Sequence, residues 1–213
     1  MFRLDSRQIL RVDAFDALPW LVHGFGTRLV DISALFGNFA TLKQVHSSTC
    51  VVGEGRSGEL GRGDALIENT PGSVVAVKTA DCIPILLADE RLRAVAAVHA
   101  GWRGTVAHIA RRAVEAMGER LGTAAADLHA AIGPGIGKCC YEVGPDVAAH
   151  FGETGRTHID LAEANRQQLV DAGVTPERIY ASNLCTRCRP DEFHSFRRDG
   201  QAAGRLFSFA GIR

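Results

Sequence analysis

The chain has 213 residues, 46% of them hydrophobic, and its 24 basic residues balance 24 acidic ones. That length and apolar content suit one globular domain, residues 1–213, with a real core. The balanced charge gives no field to gather nucleic acid or an anionic membrane, so the expected partner is a small molecule or another protein, and any anion must be met by a local basic cluster.

The opening stretch, "MFRLDSRQILRVDAFDALPW", interrupts its apolar residues with Arg3, Asp5, Arg7, Arg11 and Asp13. It has no continuous apolar run for a secretory signal, and nothing later approaches a membrane span, so the expected location is the cytoplasm. There the six cysteines are expected as thiols or metal ligands rather than as a disulfide framework.

Residues 53–64, "GEGRSGELGRGD", read as a loop, because glycine costs backbone entropy in regular elements. Two β-rich runs follow, Val74 to Val77 and Ile83 to Leu87, separated by Lys78 to Cys82; a third, Arg93 to Val98, delivers His99. Val106, Ile109, Ala110, Ala113, Val114, Met117 and Leu121 then recur at helical spacing, with Thr105 placed to cap the first turn. "DLHAAIGPGIG" predicts a short strand entering a Gly/Pro loop. Asp160 and Glu163 form a capping-box pattern for a helix that stops near Gly173. The tail, "RIYASNLC" and "EFHSFRRDGQAAGRLFSFAGI", reads as strands around polar loops, so the class is mixed α/β or α+β.

Three metal-capable side chains stand where strands meet loops: His46 in "LKQVHSS", Cys82 in "KTADCIP" and His99 in "AVHAGWRG". One thiolate and two imidazoles make a good zinc set, and three protein ligands leave a fourth position open, as catalytic sites require. The same atoms also suit a metal-free cysteine nucleophile, with Cys82 deprotonated by His99 or His46, or a buried thiol beside two hydrogen-bonded imidazoles. Asp64 in "RGDALI" and Asp81 beside Cys82 are placed to orient ligands or move protons, or to serve as turn and cap residues. Arg103, Arg197, Arg198 and Arg205 accompany glycine-rich turns, and their guanidinium forks match phosphate or carboxylate oxygens. Cys185 and Cys188 form "CTRC", and the vicinal Cys139 and Cys140 lie elsewhere; these suit a second metal site, a redox pair or plain structural thiols. "GPGIGKCC" lacks both the Walker ending and GxGxxG spacing and reads as a structural turn.

Taken together, "FGTR", "QVHSS", "GDALI", "KTADCIPILLAD", "AAVHAGWRGT", "IGPGIGKCCYEVG", "NLCTRC" and "FHSFRRDG" followed by "GR" resemble, in this order, the laccase-domain family. Its members were once called multicopper polyphenol oxidases and are now treated as purine nucleoside phosphorylases of the YfiH type. The resemblance implies a four-layer α/β/β/α sandwich of the CNF/YfiH-like type, with one catalytic zinc ion on His46, Cys82 and His99 at strand ends. It implies phosphorolysis of adenosine, inosine, guanosine and S-methyl-5'-thioadenosine, together with deamination of adenosine. Within that reading Asp64, Asp81, Cys82 and Arg103 are the expected catalytic residues, and Arg103 and Arg197 the expected binders of the anion. Two alternatives accompany it: an amide hydrolase using Cys82 and histidine, as in relatives linked to editing of peptidoglycan precursors, and a copper-dependent polyphenol oxidase. Laccase-type copper clusters need many histidines, commonly in His-x-His pairs, and this chain has eight histidines and no such pair. Two departures from the family pattern stand out: only residues 29–45 join Arg28 to His46, and Ser47 replaces the usual glycine.

Overall fold

The computed structural model describes residues 1–213. Two sheets stack face to face. The seven-stranded sheet runs in the order Phe2–Leu4, Ile9–Val12, Leu21–Gly26, Leu206–Ile212, Val74–Thr79, Ala40–Lys43, Gly58–Arg62. The six-stranded sheet runs Ile179–Ala181, Leu128–Ile132, Ile83–Asp89, Ala94–Ala100, Ala65–Glu68, Cys50–Val52.

The strands Ile83–Asp89 and Ala94–Ala100 are buried at every position, because the six-stranded sheet is covered on both faces. Alternation sorts their side chains. Ile83, Ile85, Leu87, Ala94, Ala96 and Val98 join a core with the helices Ile109–Leu121 and Leu161–Asp171. Leu86, Ala88, Val95 and Ala97 face the other way, against Leu42, Val75, Val77 and Leu206 of the seven-stranded sheet. The outer face of that second sheet packs Ile9, Ala76 and Phe209 under Ile32 and its neighbours. The order is therefore helix, sheet, sheet, helix, as the resemblance implied, with the fourth layer reduced to the short helix Ile32–Leu35. No helix is long and apolar enough to cross a membrane.

The three β-rich runs fall on strands, and Asp160 caps its helix by accepting a bond from the Glu163 N–H at 3.0 Å. That box is only half made, since the Glu163 carboxylate turns to Arg166 instead. Two expectations are corrected. The glycine-rich stretch 53–64 contains the strand Gly58–Arg62, which pairs parallel with Ala40–Lys43: its glycines tolerate an exposed edge position. The long helix does not run from Thr105. A short helix, Trp102–Val106, ends before His108, whose left-handed φ of 59° breaks the path, and the main helix starts at Ile109. Thr105 is buried inside the first helix, donating to the Gly101 carbonyl and accepting from Asn165.

His23 lies 1% exposed under the N-terminal strands, and its Nε2 accepts the Val12 N–H at 2.9 Å. Burial disfavours the cation and pulls its pKa down from the ordinary 6.5 to about 4. The unfolded chain therefore takes up a proton first. Stability from neutral His23 is complete above about pH 6.5 and is lost as pH falls toward about 4, by up to about 3 kcal/mol. Replacing it by His23→Gln keeps an acceptor for Val12 but removes the titration. Chemical denaturation across that range should give a flatter stability profile for this variant than for the parent; equal slopes would refute the assignment.

Candidate metal centre and cleft

The strand Ala94–Ala100 ends at one rim of the stacked sheets, and alternation sends His99, like Val95 and Ala97, toward the inter-sheet face. Cys82 immediately precedes the paired strand Ile83–Asp89, where Pro84 lies opposite His99. His46 comes from the turn after Ala40–Lys43 in the other sheet. Three chain-distant donors are thus brought to one rim, with one ligand atom from each lying within 4.8 Å of the others.

Asp64 organises the trio. Its carboxylate is fully buried, and it accepts the backbone N–H groups of His46 at 3.0 Å and Ser47 at 2.6 Å, along with the Ser47 hydroxyl at 2.7 Å. It also accepts the His99 Nδ1–H at 2.9 Å. Burial alone would raise the Asp64 pKa, but the bonds from His99 and Ser47 outweigh it and bring the value down to about 2. Because Nδ1 is occupied, His99 keeps Nε2 for an ion, the relay of carboxylate to histidine common behind metal ligands. Asp64 does not line the cleft. Its bonds hold the His46–Ser47 turn and the His99 ring in place.

Cys82 Sγ lies 3.9 Å from His46 Nε2. Burial pushes the thiol pKa up, yet His46 and His99 reverse this and bring it to about 6, so a thiolate is favoured at neutral pH. For His99 burial opposes protonation, but Asp64 and the Cys82 sulfur prevail and raise it to about 9. The donor chemistry fits zinc: one soft thiolate and two imidazoles turned toward it, with Cys82 Sγ and His46 Nε2 separated by about the edge of a single tetrahedral shell. Gly101 explains why the strand ends as it does. A Cβ there would come within 2.8 Å of the His46 ring and 3.0 Å of Cys82 Sγ. His46 itself has φ of 60° and Asp81, before Cys82, has 89°, so the backbone holds left-handed strain at both ligand-bearing turns.

The trio opens onto a cleft of about 700 Å³. Five cationic side chains line it, Lys43, Lys78, Arg103, Arg197 and Arg205, against two acids, Glu59 and Asp81. Trp102, Tyr141 and Phe196 supply aromatic wall. The Arg103 guanidinium sits 4.3 Å from the Trp102 ring centre, and that of Arg197 sits 5.3 Å from the Tyr141 ring. Burial lifts the Tyr141 phenol to about 12, leaving it a neutral hydroxyl. Thr79 adds a buried Oγ1 with no protein partner. Asp81 also lines the cleft. Its two oxygens accept the Thr186 hydroxyl and the Arg197 N–H, both at 2.6 Å, so it fixes the turn that presents Arg197.

Arg103 and Arg197 are therefore both at the cleft, whereas Arg198 turns away to the carbonyls of Thr186 and Phe193. Sequence reasoning missed Lys43, Gln44, Lys78 and Thr79, which stand at the ends of two neighbouring strands of the seven-stranded sheet and which no local pattern singles out. The short passage from Arg28 to His46 still forms the helix Ile32–Leu35 and a strand. Ser47 uses its extra hydroxyl on Asp64.

A family model described as multi-copper polyphenol oxidoreductase laccase matches residues 26–213. A protein of Deinococcus radiodurans named purine nucleoside phosphorylase is 44% identical over 185 residues, covering 82% of this chain and 70% of that relative. Another so named, from Bacteroides thetaiotaomicron, is 42% identical over 68% of this chain and 59% of its own length. A protein from an unknown prokaryotic organism, named adenosine deaminase, is 45% identical over 68% of this chain and 60% of its own length. The chain thus spans about three fifths of these last two relatives. Among solved structures, the Bacillus licheniformis hypothetical protein YfiH superposes with a TM-score of 0.91 at 26% identity, covering 100% of this chain and 99% of that one. YlmD from Geobacillus stearothermophilus gives 0.89 at 29% identity, covering 100% and 98%.

The Asp64→Asn substitution removes the charge that faces His99 and cannot accept every N–H that the carboxylate does. Zinc affinity, measured by competition with a chromogenic chelator, should fall about 10- to 100-fold. Unchanged affinity in a folded variant would show that Asp64 does not support the trio.

Proposed function

The chain belongs to the multi-copper polyphenol oxidoreductase laccase family, and from that premise we propose that it is a zinc-dependent purine nucleoside phosphorylase that also deaminates adenosine. The proposed substrates are adenosine, inosine, guanosine and S-methyl-5'-thioadenosine, with phosphate as the second reactant. One observation carries this reading: the His46, Cys82 and His99 trio shares a single cleft with five cationic side chains and an aromatic wall. The relatives named above support the substrate class.

Zinc, when bound, supplies Lewis acidity that makes water acidic enough to react near neutral pH, which suits deamination. The residues of the chain do the rest. Arg103 and Arg197, with Lys78 nearby, hold phosphate by charge-assisted bonds and aim it at the anomeric carbon. Trp102, Tyr141 and Phe196 take the flat purine, and the Tyr141 hydroxyl remains a donor. As the glycosidic bond opens, positive charge builds on the ribose and negative charge on the departing base. Fixed groups that meet those charges need not reorganise. Asp81 holds the Arg197 turn in place throughout.

The oxidase reading fits the donors less well. Only two of the eight histidines, His46 and His99, enter any cluster of three or more metal-capable groups, too few for a multi-copper assembly. The lowered pKa of Cys82 favours one second reading, a cysteine-dependent amide hydrolase, in which a chelator leaves activity intact.

Incubation with adenosine, with and without phosphate, separates these. We expect adenine and ribose 1-phosphate only with phosphate, inosine without it, and loss of both on chelation with recovery on adding zinc. No product in either condition, with zinc bound, would reject the reading. Arg103→Ala should lower kcat/KM for phosphorolysis about 10- to 100-fold, the worth of a charge-assisted contact, while deamination changes less.

A further inference from the structure

A second donor cluster lies apart from the trio. Cys139 and Cys140 sit in a turn closed by the N–H groups of Cys140 and Tyr141 on the Gly137 carbonyl, at 2.9 and 3.0 Å. Cys185 and Cys188 come from the loop after Ile179–Ala181. A parallel bridge between Gly135 and Cys185 joins the two loops, with Gly135 N–H donating to the Leu184 carbonyl and Thr186 N–H to the Gly135 carbonyl. All four sulfurs fall within 4.8 Å of one another. Cys188 Sγ is 3.3 Å from that of Cys140 and 3.7 Å from that of Cys139.

We propose that Cys139, Cys140, Cys185 and Cys188 bind one zinc ion as a closed four-thiolate centre, separate from the His46, Cys82 and His99 trio. Four sulfurs about 2.3 Å from one ion stand about 3.8 Å apart along the edges of a tetrahedron. The observed separations lie near that value. They are well beyond the roughly 2.05 Å of a disulfide. An iron–sulfur cluster puts its thiolates on different iron atoms and spreads them further than one shared ion does. Gly137 completes the cradle. Its N–H donates to Cys185 Sγ at 3.3 Å. A Cβ on it would come within 3.2 Å of Cys185 Cβ and 3.3 Å of Cys139 Sγ. A zinc ion with four thiolates carries two negative charges in excess, and Lys138, Arg187 and Arg189 flank the cysteines in sequence, with Arg187 facing Cys140. On binding, each thiol releases its proton to solvent and no redox partner is required.

The ion would clamp a loop that walls the cleft to a second loop that supports the wall from behind. One carries Ile136 and Tyr141. The other carries Thr186, which holds Asp81 by its hydroxyl and Arg198 by its carbonyl. Closed on four sulfurs, this centre leaves no position for water or substrate, so its contribution is to loop geometry and stability.

Metal content tests this independently of nucleoside turnover. Protein purified under reducing conditions without added metal should contain two zinc ions per chain by elemental analysis. Cys82→Ser should keep one of them, and Cys140→Ser or Cys188→Ser should each lose one and lower the thermal midpoint. Cobalt substitution of the Cys82→Ser protein should give the intense thiolate-to-cobalt bands of a tetrahedral four-sulfur site, absent from Cys188→Ser. If a variant fails to fold, the wild-type cobalt spectrum gives the reading by its intensity, that of five thiolates rather than the one that Cys82 supplies, and the intensity of one thiolate alone would overturn the proposal. Three other outcomes would also overturn it: no metal and no such bands in Cys82→Ser, iron in place of zinc, or a disulfide among the four cysteines by mass spectrometry.

Discussion

One buried carboxylate holds the candidate site together. Asp64 has no solvent to stabilise its charge, so the protein must supply every partner, and it does so with N–H and O–H groups from the His46–Ser47 turn and with the His99 ring. An ionised group this deep is tolerable only when hydrogen-bonded on most of its lone pairs. The requirement works in both directions. Folding the turn around Asp64 satisfies the charge, and satisfying the charge fixes where His46 and His99 point.

That constraint also makes sense of the strain. Left-handed backbone at a non-glycine residue costs on the order of 1 kcal/mol or more, and here it falls on His46 and on Asp81, the neighbour of Cys82. Each is held by several bonds: His46 through its own N–H to Asp64, Asp81 through Thr186, the Arg197 N–H and the Ile136 N–H. The small residues around them serve the same end. Gly101 lets the His46 ring and the Cys82 sulfur approach the strand end. Gly104 lets the following helix pass 3.1 Å from the Ser47 carbonyl, measured to the Cβ it lacks.

Much of this was legible in the chain because apolar periodicity reports burial directly. The runs at Val74, Ile83 and Arg93 mark strands, and the pattern from Ile109 to Leu121 marks the covering helix. The helix boundary was not legible, since the apolar spacing continues across Val106 while His108 adopts a conformation that no periodicity encodes. Nor was the strand Gly58–Arg62, which lies at a sheet edge and is exposed at four of five positions, so burial leaves no trace in its sequence. At the site, residue type pointed to His46, Cys82 and His99, but their meeting depends on the register that sets His99 opposite Pro84. The duty of Asp64, and the meeting of Lys43 and Lys78 at the ends of neighbouring strands, are long-range facts that local words do not contain.

The two donor clusters are joined by short, specific links rather than by shared core. Asp81 precedes a ligand candidate of the first cluster and accepts the hydroxyl of Thr186, which stands between Cys185 and Cys188 of the second. Its backbone carbonyl accepts the Ile136 N–H on the loop that leads to Cys139 and Cys140. A displacement of either cysteine loop is therefore felt at Asp81, and through Asp81 at both the Cys82 turn and the Arg197 turn. Ile136, Tyr141 and Phe193 anchor these loops in the two cores, and hydrogen bonds and cross-links set the positions of the exposed turns between those anchors. On this view the sandwich supplies a rigid rim for the inner trio, while the outer cysteines govern the wall that faces it. Of the cations lining the cleft, Arg197 is the one tied through Asp81 to the cysteine loops, whereas Arg103 and Lys78 stand on the rim beside the metal-capable donors, so the two clusters bear on different sides of one cleft.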